Sequence, residues 1–289
     1  MTRGRRKDKV KEINIDGCKL IGTGAFGKVY KIDADTVIKV YDDPAKLPLI
    51  ETEQERSRRA FIKGIPTAIP FGVARVGETY GSMFELIDAV NCNDFIASHP
   101  DKAGSIIAEY AGFIRRIHAV QSAPGEFPDA RKIYSAYLED VREYLPGEIY
   151  ARLHDFVTAV PESLGLVHGD IQMKNVMLSN GEMFLIDMST LCAGSQLFEF
   201  AGLYLTYEAF TSIYGYEHQE KFLGLPIELA NRIYYRTAEL FGIDGNGRDI
   251  QILAWLRFLH VVALELSPLE TFRIAQAVDK LKELLDVKI

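Results

Sequence analysis

The stretch His168-Gly169-Asp170-Ile171-Gln172-Met173-Lys174-Asn175, followed after a short turn by Met183-Phe184-Leu185-Ile186-Asp187, decides how the rest of the chain is read. Its spacing suits phosphoryl transfer. One carboxylate orients an attacking hydroxyl, a carboxamide five residues on takes a metal, and a second carboxylate at the end of an apolar run takes metal beside the phosphates. A His-x-Asp tripeptide alone is common; this one gains force from what precedes it in the chain.

Upstream, Gly22-Thr23-Gly24-Ala25-Phe26-Gly27 lies between two strand-like runs, Lys19-Leu20-Ile21 and Val29-Tyr30-Lys31-Ile32. A dinucleotide-binding G-x-G-x-x-G opens a helix instead. Between strands, glycines let backbone N–H groups close over phosphates without side-chain obstruction; a plain hairpin loop is the alternative. Lys39 follows in Val37-Ile38-Lys39-Val40. A lysine among apolar strand neighbours is costly to bury unpaired, so a carboxylate on the next helix is its expected partner. The inward face of that helix, Ile50 to Lys63, would carry Ile50, Glu53, Ser57, Ala60 and Phe61. Glu53 is therefore the first choice of partner, with Glu55 and Glu51 as alternatives. Without the rest of the pattern, Lys39 would read as a residue of an exposed strand face.

The first ninety or so residues are strand-rich, with hairpins turning at Asp33-Ala34-Asp35 and Gly77-Glu78. Met83-Phe84-Glu85-Leu86-Ile87 is an apolar strand leaving this sheet. Its Glu85 carbonyl and Ile87 N–H are candidates to meet an adenine ring. Beyond Asn93 the period becomes helical: Ile107, Tyr110, Ala111, Ile114, Ile117 and His118 recur at helical spacing, and segments 133–144 and 148–160 follow. Short β-rich runs over 164–186 interrupt the helices, which resume from Glu199. The expected division is a basic tail at 1–12, a nucleotide-binding lobe at 13–90, and a mainly helical lobe at 91–289. The last contains a catalytic loop at 166–178, a helical insert at about 130–160 and substrate-side helices toward the end.

Together these residues resemble the protein-kinase-like superfamily, in particular its aminoglycoside phosphotransferase and choline kinase branch. The resemblance runs from about Leu20 to Ala201. It implies an α+β, bilobal protein-kinase-like fold: a small antiparallel sheet with one helix, then a larger helical lobe. It also implies ATP and Mg2+ as cofactors. Gly22, Gly24 and Gly27 would cover the phosphates, Lys39 with Glu53 would hold them, Asp170 would be the base, and Asn175 and Asp187 would bind Mg2+. A long, mostly helical stretch separates Ile117-His118 from His168, as in small-molecule kinases. No Ala-Pro-Glu follows Asp187, where protein kinases end their activation segment. Four departures bear on the acceptor: Glu199 replaces the usual Asp, Met188-Ser189 follows Asp187, Gln196 stands where Pro is usual, and the glycine loop resembles that of protein kinases.

The remaining residues read more plainly. His168 is expected to be a structural, hydrogen-bonding histidine, His118 a core residue, and Lys174 an exposed lysine or a phosphate contact. Glu199, Glu208, Glu217 and Glu265 are candidates for an acidic rim around a polyamine acceptor, although an acidic chain carries surface carboxylates everywhere. Tyr204, Tyr207, Tyr214 and Tyr216 would make an aromatic wall or simply core.

The chain has 289 residues, 48% hydrophobic and 25% charged, values of an ordinary packed core. A net charge of -7 argues against nucleic acid as partner. The basic start (Arg3, Arg5, Arg6, Lys7, Lys9, Lys11) reads as a solvated tail, with a binding arm as alternative. Cys18, Cys92 and Cys192 have neither zinc nor disulfide spacing and suggest a reducing compartment. No apolar run approaches a membrane span and no signal peptide is evident, so a cytoplasmic protein without membrane contact is expected. The leading function is ATP- and Mg2+-dependent phosphorylation of a hydroxyl on a small molecule. An atypical protein kinase and a nucleotide-binding pseudokinase are the alternatives.

Overall fold

The structure is a computed structural model and describes residues 10–24, 27–264 and 272–287. Ala25, Phe26, Glu265 and the basic residues from Arg3 to Lys9 lie outside these. The chain divides into two compact units. One comprises the chain up to Ala89 together with Ser179–Ser189; the other comprises Val90–Leu178 and the chain from Thr190 onward.

The first unit is built on six strands: β1 (Lys11–Glu12), β2 (Lys19–Gly24), β3 (Gly27–Lys31), β4 (Thr36–Tyr41), β5 (Pro70–Val76) and β6 (Thr79–Glu85). Their order in the sheet is β1-β5-β6-β4-β3-β2. All neighbours are antiparallel except β1, which runs parallel to β5 with Lys11 opposite Ala74. Lys11 and Glu12, taken from sequence as tail, are thus paired. The two hairpins turn where the Asp-rich and Gly-Glu dipeptides stand. Gly77 supplies a positive φ of 57° that a side chain would resist. Ile38, Val40, Ala74, Val76 and Met83 form the core of this sheet, with Ile13, Ile15, Tyr30 and Ile32 packed on it.

A single long helix, α1 (Leu47–Ile62), crosses the sheet. It starts three residues earlier than the sequence pattern indicates, because Asp43 caps the short turn before it through Ala45 N at 2.8 Å. Ile50, Glu53, Gln54, Ser57 and Ala60 are buried. Phe61, expected inward, is 45% exposed in the last turn. Gln54 fills the buried face instead. Its amide donates to Ser82 Oγ (2.6 Å) and Met83 O (3.0 Å), and its oxygen accepts from Gly72 N (2.9 Å). A polar residue satisfied on all sides is invisible to a hydrophobic pattern.

Segment 179–189, placed by sequence with the helical lobe, belongs to the first unit. Leu185 N bonds to Pro66 O (2.8 Å) and Ser179 Oγ to Asp88 O (2.8 Å). β10 (Glu182–Leu185) follows the turn Asn180-Gly181, whose φ values of 50° and 82° suit an Asn-Gly pair.

The second unit opens with β7 (Val90–Asn91), which pairs with β9 (Val176–Ser179) through Val90 and Leu178. Its helices are α2 (Cys92–Ser98), α3 (Ala103–Ala119), α4 (Ala130–Asp140), α5 (Gly147–Ala159), α6 (Gln196–Tyr204), α7 (Phe210–Tyr214), α8 (Tyr216–Leu223), α9 (Ile227–Phe241), α10 (Arg248–Leu264) and α11 (Phe272–Leu284). One turn of π-helix, Leu205–Ala209, joins α6 to α7. β8 (Leu166–Val167) and β11 (Cys192–Ala193) form a two-stranded ladder. A large core gathers α4, α5, α6, α10 and α11 around Leu153, Phe198, Leu253, Phe258 and Leu281. α10 is buried along most of its length, and that explains why it shows no amphipathic period. Among the described residues, no helix is long and apolar enough to cross a membrane.

Gly27 tests the fold against the glycine loop. A Cβ there would run into the Val40 carbonyl on the neighbouring strand, whereas one at Gly22 would meet Val29 Cβ at an ordinary 3.6 Å. Gly27→Ala should destabilise the first unit by about 2 kcal/mol, the scale of an overpacked contact, in urea unfolding. Gly22→Ala should change it by less than about 1 kcal/mol.

Candidate functional site

In the first unit, Lys39 lies on β4 opposite Val29 and Ser82. Its ammonium is 3.0 Å from Glu53 Oε1 and 3.3 Å from Asp187 Oδ2. Of the three carboxylates that α1 offers, Glu53 takes the pair; Glu55 bonds Arg58 and Arg59 on its own helix. Burial works against the lysine's charge, but Asp187 and Glu53 outweigh it, so its pKa is raised. Glu53 itself is buried, and its second oxygen accepts from the Tyr41 hydroxyl. Burial and the neighbouring Glu53 charge push the Tyr41 phenol up, so it remains a donor. Tyr41 is a member of this cluster that sequence reasoning missed. It sits two residues from Lys39 on the same strand, hence on the same face, and that alternation was the available signal.

Asp187 carries a φ of 60°, in the left-handed region that residues with a Cβ seldom occupy. Ser189 Oγ donates to its Oδ1 at 2.8 Å, leaving Oδ2 toward Lys39. The uncommon conformation falls where this carboxylate meets the Lys39 ammonium. Arg56, also on α1, donates to the Ser189 carbonyl and ties this segment down. Gly22 and Gly24 stand on β2, each with room for a Cβ and neither with a positive φ. Packing therefore does not require glycine at either position. Glu85 ends β6, its N–H bonded to Ile69 O at 2.9 Å, and irregular backbone carrying Ile87 follows to Ala89.

In the second unit, the loop after β8 presents Asp170. Asn175 Nδ2 donates both to the Asp170 carbonyl (2.8 Å) and to its Oδ2 (3.0 Å). Both bonds use the Asn175 amide nitrogen and not its oxygen. The loop's shape is enforced from behind. Glu199, at the start of α6 and fully buried, accepts His168 N on one oxygen and Gly169 N on the other, each at 2.7 Å. His118 Nε2 lies 3.3 Å from the same carboxylate. Burial alone would raise the Glu199 pKa; the bonds from His118 and the His168 N–H outweigh it and hold the carboxyl below the usual range. Gly169 takes a φ of 79°. Its carbonyl accepts from the Arg257 guanidinium on α10, and a Cβ on Gly202 would stand only 2.5 Å from it. Tyr207, on the π-turn, accepts Met173 N at 3.1 Å, and Tyr110 donates to Ile171 O at 2.6 Å.

Several sequence expectations change. Glu199 is no part of an acidic rim, because its oxygens are spent on the loop backbone. Tyr207 is buried support for that loop, while Tyr216 is exposed and Tyr214 stacks on His218 at 4.9 Å, so the four tyrosines form no common wall. His168 acts through its N–H; its buried ring has no hydrogen-bond partner among the described residues. Lys174 is half-buried and donates to the Phe222 carbonyl, and burial depresses its pKa. His118 is half-buried and reaches Glu199. Arg257 and Gly202 were not singled out from sequence, and Tyr207 was read only as wall or core. They lie far along the chain from the loop they hold, and no local pattern marks them.

The fold of the two units is that of the protein-kinase-like superfamily. A family model described as the phosphotransferase enzyme family (APH) matches residues 17–227, and the chain belongs to that family. The structure is similar to aminoglycoside phosphotransferase APH(4)-Ia in its ternary complex with AMP-PNP and hygromycin B, at 14% identity and a TM-score of 0.63 over 93% of each chain. It is also similar to the gentamicin complex of APH(2'')-IIa (12% identity, TM-score 0.57, 94% of this chain and 91% of that one). A third neighbour is APH(3'')-Id from Streptomyces rimosus (19% identity, TM-score 0.56, 85% and 92%). No curated protein matches the sequence.

The Glu199 clamp makes a testable demand. Glu199→Gln should cost about 2–4 kcal/mol at neutral pH, since one backbone N–H would face an amide N–H2 and the charge-assisted bonds would be lost. Because the folded carboxyl titrates below its unfolded value, its contribution is present above about pH 4.3 and lost as pH falls through the folded value. The stability gap between wild type and variant, read by denaturant unfolding, should therefore narrow only in acid.

Proposed function

We propose that this protein transfers the γ-phosphate of ATP to a hydroxyl of a small molecule, with Mg2+ as cofactor. The observation that carries the reading is the ion cluster of Lys39 with the buried Glu53 and the partly exposed Asp187, joined across 148 positions of sequence. A fold in need of stability alone gains little from such a cluster, because the desolvation of Glu53 and of most of Lys39 can offset their attraction.

Lys39, kept ionised and fixed by Glu53, binds phosphate oxygens. Gly22, Gly24 and Gly27 let backbone N–H groups approach the same phosphates, consistent with the absence of any packing reason for glycine at the first two. The Glu85 carbonyl and the Ile87 N–H read the purine. The donors proposed for Mg2+ are the Asn175 and Asp187 oxygens, which suit a hard cation. Among the described residues no cluster of three or more His, Cys, Asp or Glu side chains is of the kind that holds a metal unaided, so phosphate and water would complete the shell. Bound there, the ion would neutralise charge on the transferring phosphate. Asp170, held by Asn175, orients the acceptor hydroxyl and receives its proton. Loose phosphoryl-transfer transition states ask for such positioning more than for a strong base.

The neighbours bound to hygromycin B and gentamicin support an amine-bearing, polyhydroxylated acceptor. Of the carboxylates considered for such an acceptor, Glu217 is exposed. Glu208 is half-buried, and burial raises its pKa. The lack of an Ala-Pro-Glu after Asp187 argues against a protein acceptor.

Transfer of labelled γ-phosphate from Mg-ATP to pools of aminoglycosides, amino alcohols, sugars and nucleosides, against generic proteins, tests the reading. Label should enter a small-molecule pool. Asp170→Asn should lower kcat by roughly a thousandfold or more with ATP affinity within about twofold, since it removes a group acting on the acceptor. Asp187→Asn should weaken Mg-ATP binding itself. Label in protein alone, or full turnover by Asp170→Asn, would overturn the assignment.

A further inference from the structure

Tyr41 touches both members of the pair that joins β4 to α1. Its hydroxyl donates to Glu53 Oε2, while Lys39 holds Oε1 at 3.0 Å. Its ring also meets the Lys39 ammonium, with Nζ 5.3 Å from the ring centroid, within the range of a cation–π contact. Lys39 and Tyr41 stand two positions apart on β4 and so share a face. Tyr41 and Glu53 are both buried. Among the described residues the Glu53 carboxylate has these two partners, one for each oxygen. The backbone of Tyr41 is fixed as well: it lies opposite Gly27 on β3, and its carbonyl accepts from Thr79 Oγ1 at 2.7 Å.

A phenylalanine would fill the same space, so the hydroxyl needs its own reason. Without it, Glu53 Oε2 would be buried with no donor, which is costly for a charged oxygen. The helix itself has other ties. The adjacent Gln54 already binds α1 to β5 and β6 by three uncharged bonds, to Gly72 N, Ser82 Oγ and Met83 O. What the hydroxyl adds is direction. A carboxylate bound at one oxygen can turn about its Cγ–Cδ bond; bound at both oxygens, by two residues of one strand, it keeps its plane. Lysine is a point charge on a flexible four-carbon stem, and an acceptor in a fixed plane tells it where to point.

We infer that Tyr41 is a positioning residue for nucleotide binding: its hydroxyl sets the plane of the Glu53 carboxylate and its ring backs the Lys39 ammonium, so that Lys39 meets the phosphates already aimed. The inference rests on the reading of Lys39 as the phosphate-binding lysine. Freedom removed before binding is freedom that the nucleotide need not remove, so the hydroxyl is expected to act on affinity.

The test measures, on the full chain, the affinity for Mg-AMP-PNP by calorimetry and the melting temperature. The variants are Tyr41→Phe, Glu53→Ala, the two together, Gln54→Met and Lys39→Ala. Tyr41→Phe should weaken binding roughly tenfold, within the range of coupling between residues in contact. In the Glu53→Ala background the same change should alter affinity by less than about twofold, because the group it acts through is gone. Gln54→Met should lower the melting temperature yet leave affinity within about twofold, since it loosens α1 without touching the ion pair. Lys39→Ala should lose most of the affinity. If Tyr41→Phe binds like wild type while Lys39→Ala does not, Tyr41 is at most a structural residue; the inference fails and the reading of Lys39 stands. Equal losses in Tyr41→Phe and Gln54→Met would mean that any loosening of the helix suffices, and additive losses from Tyr41→Phe and Glu53→Ala that Tyr41 acts elsewhere; either result overturns the inference. Should Glu53→Ala fail to fold, the comparison of Tyr41→Phe with Gln54→Met decides alone. Wild-type affinity in Lys39→Ala would sink both the inference and the reading it rests on.

Discussion

A carboxylate with no access to water has to be neutralised where it stands, and Glu199 meets that demand with the backbone of the loop that carries Asp170. Removing such an ion from water costs several kcal/mol. Three charge-assisted bonds, each worth about 1.5–3 kcal/mol, return a comparable amount, but only while His168 N, Gly169 N and His118 all stay in place. The constraint therefore acts in both directions. α6 cannot dock without the loop in its bent form, and the loop cannot relax without stranding a buried charge. Around this clamp the other supports are short-range and specific: Arg257 on the Gly169 carbonyl, Tyr207 on Met173 N, Tyr110 on the Ile171 carbonyl. Gly202 is the steric counterpart, since any side chain there would push the loop away.

The first unit solves a different problem with charge. Lys39 is held ionised by two carboxylates of unequal character. Glu53 is buried and shared with the Tyr41 hydroxyl, so it is a fixed anchor; Asp187 is more open and sits on a strained backbone. A buried anchor and a second carboxylate in an uncommon conformation hold the lysine between them. Polar groups here follow the same economy as Gln54, whose amide satisfies three neighbours at once and leaves nothing buried unpaired.

What the sequence disclosed was what depends on short range. The hairpin turns, the start of the helical region and the pairing of Lys39 with Glu53 follow from alternation, helical period and the cost of a lone buried charge, each a property of neighbouring residues. The loop motif at His168 to Asn175 was legible because phosphoryl transfer, the chemistry proposed for it, demands fixed spacing. The rest was hidden for physical reasons. Glu199 reads as a surface acid until its partners, two backbone N–H groups thirty residues away, are known. Arg257 and Tyr207 act on carbonyls and amides that every residue possesses, so no side-chain type advertises them. Phe61 reads as core because hydrophobicity is a one-way indicator, and the burial it was assigned is taken by Gln54.

The return of 179–189 to the first unit makes that unit discontinuous in sequence: the chain leaves it at Ala89 and re-enters at Ser179. During synthesis from the N-terminus, the sheet and α1 can form early, from hairpins whose contacts are local and quick. Lys39 and Glu53 can meet then. Asp187 cannot join them until nearly two-thirds of the chain exists, and it arrives by closing a loop whose entropy must be met by the contacts it completes. A nascent or truncated chain ending before this segment would hold a paired strand lysine yet lack the carboxylate opposite it. The assembly of the ion cluster is in this sense a late checkpoint in folding, reached only after the chain has passed through the whole loop that carries Asp170.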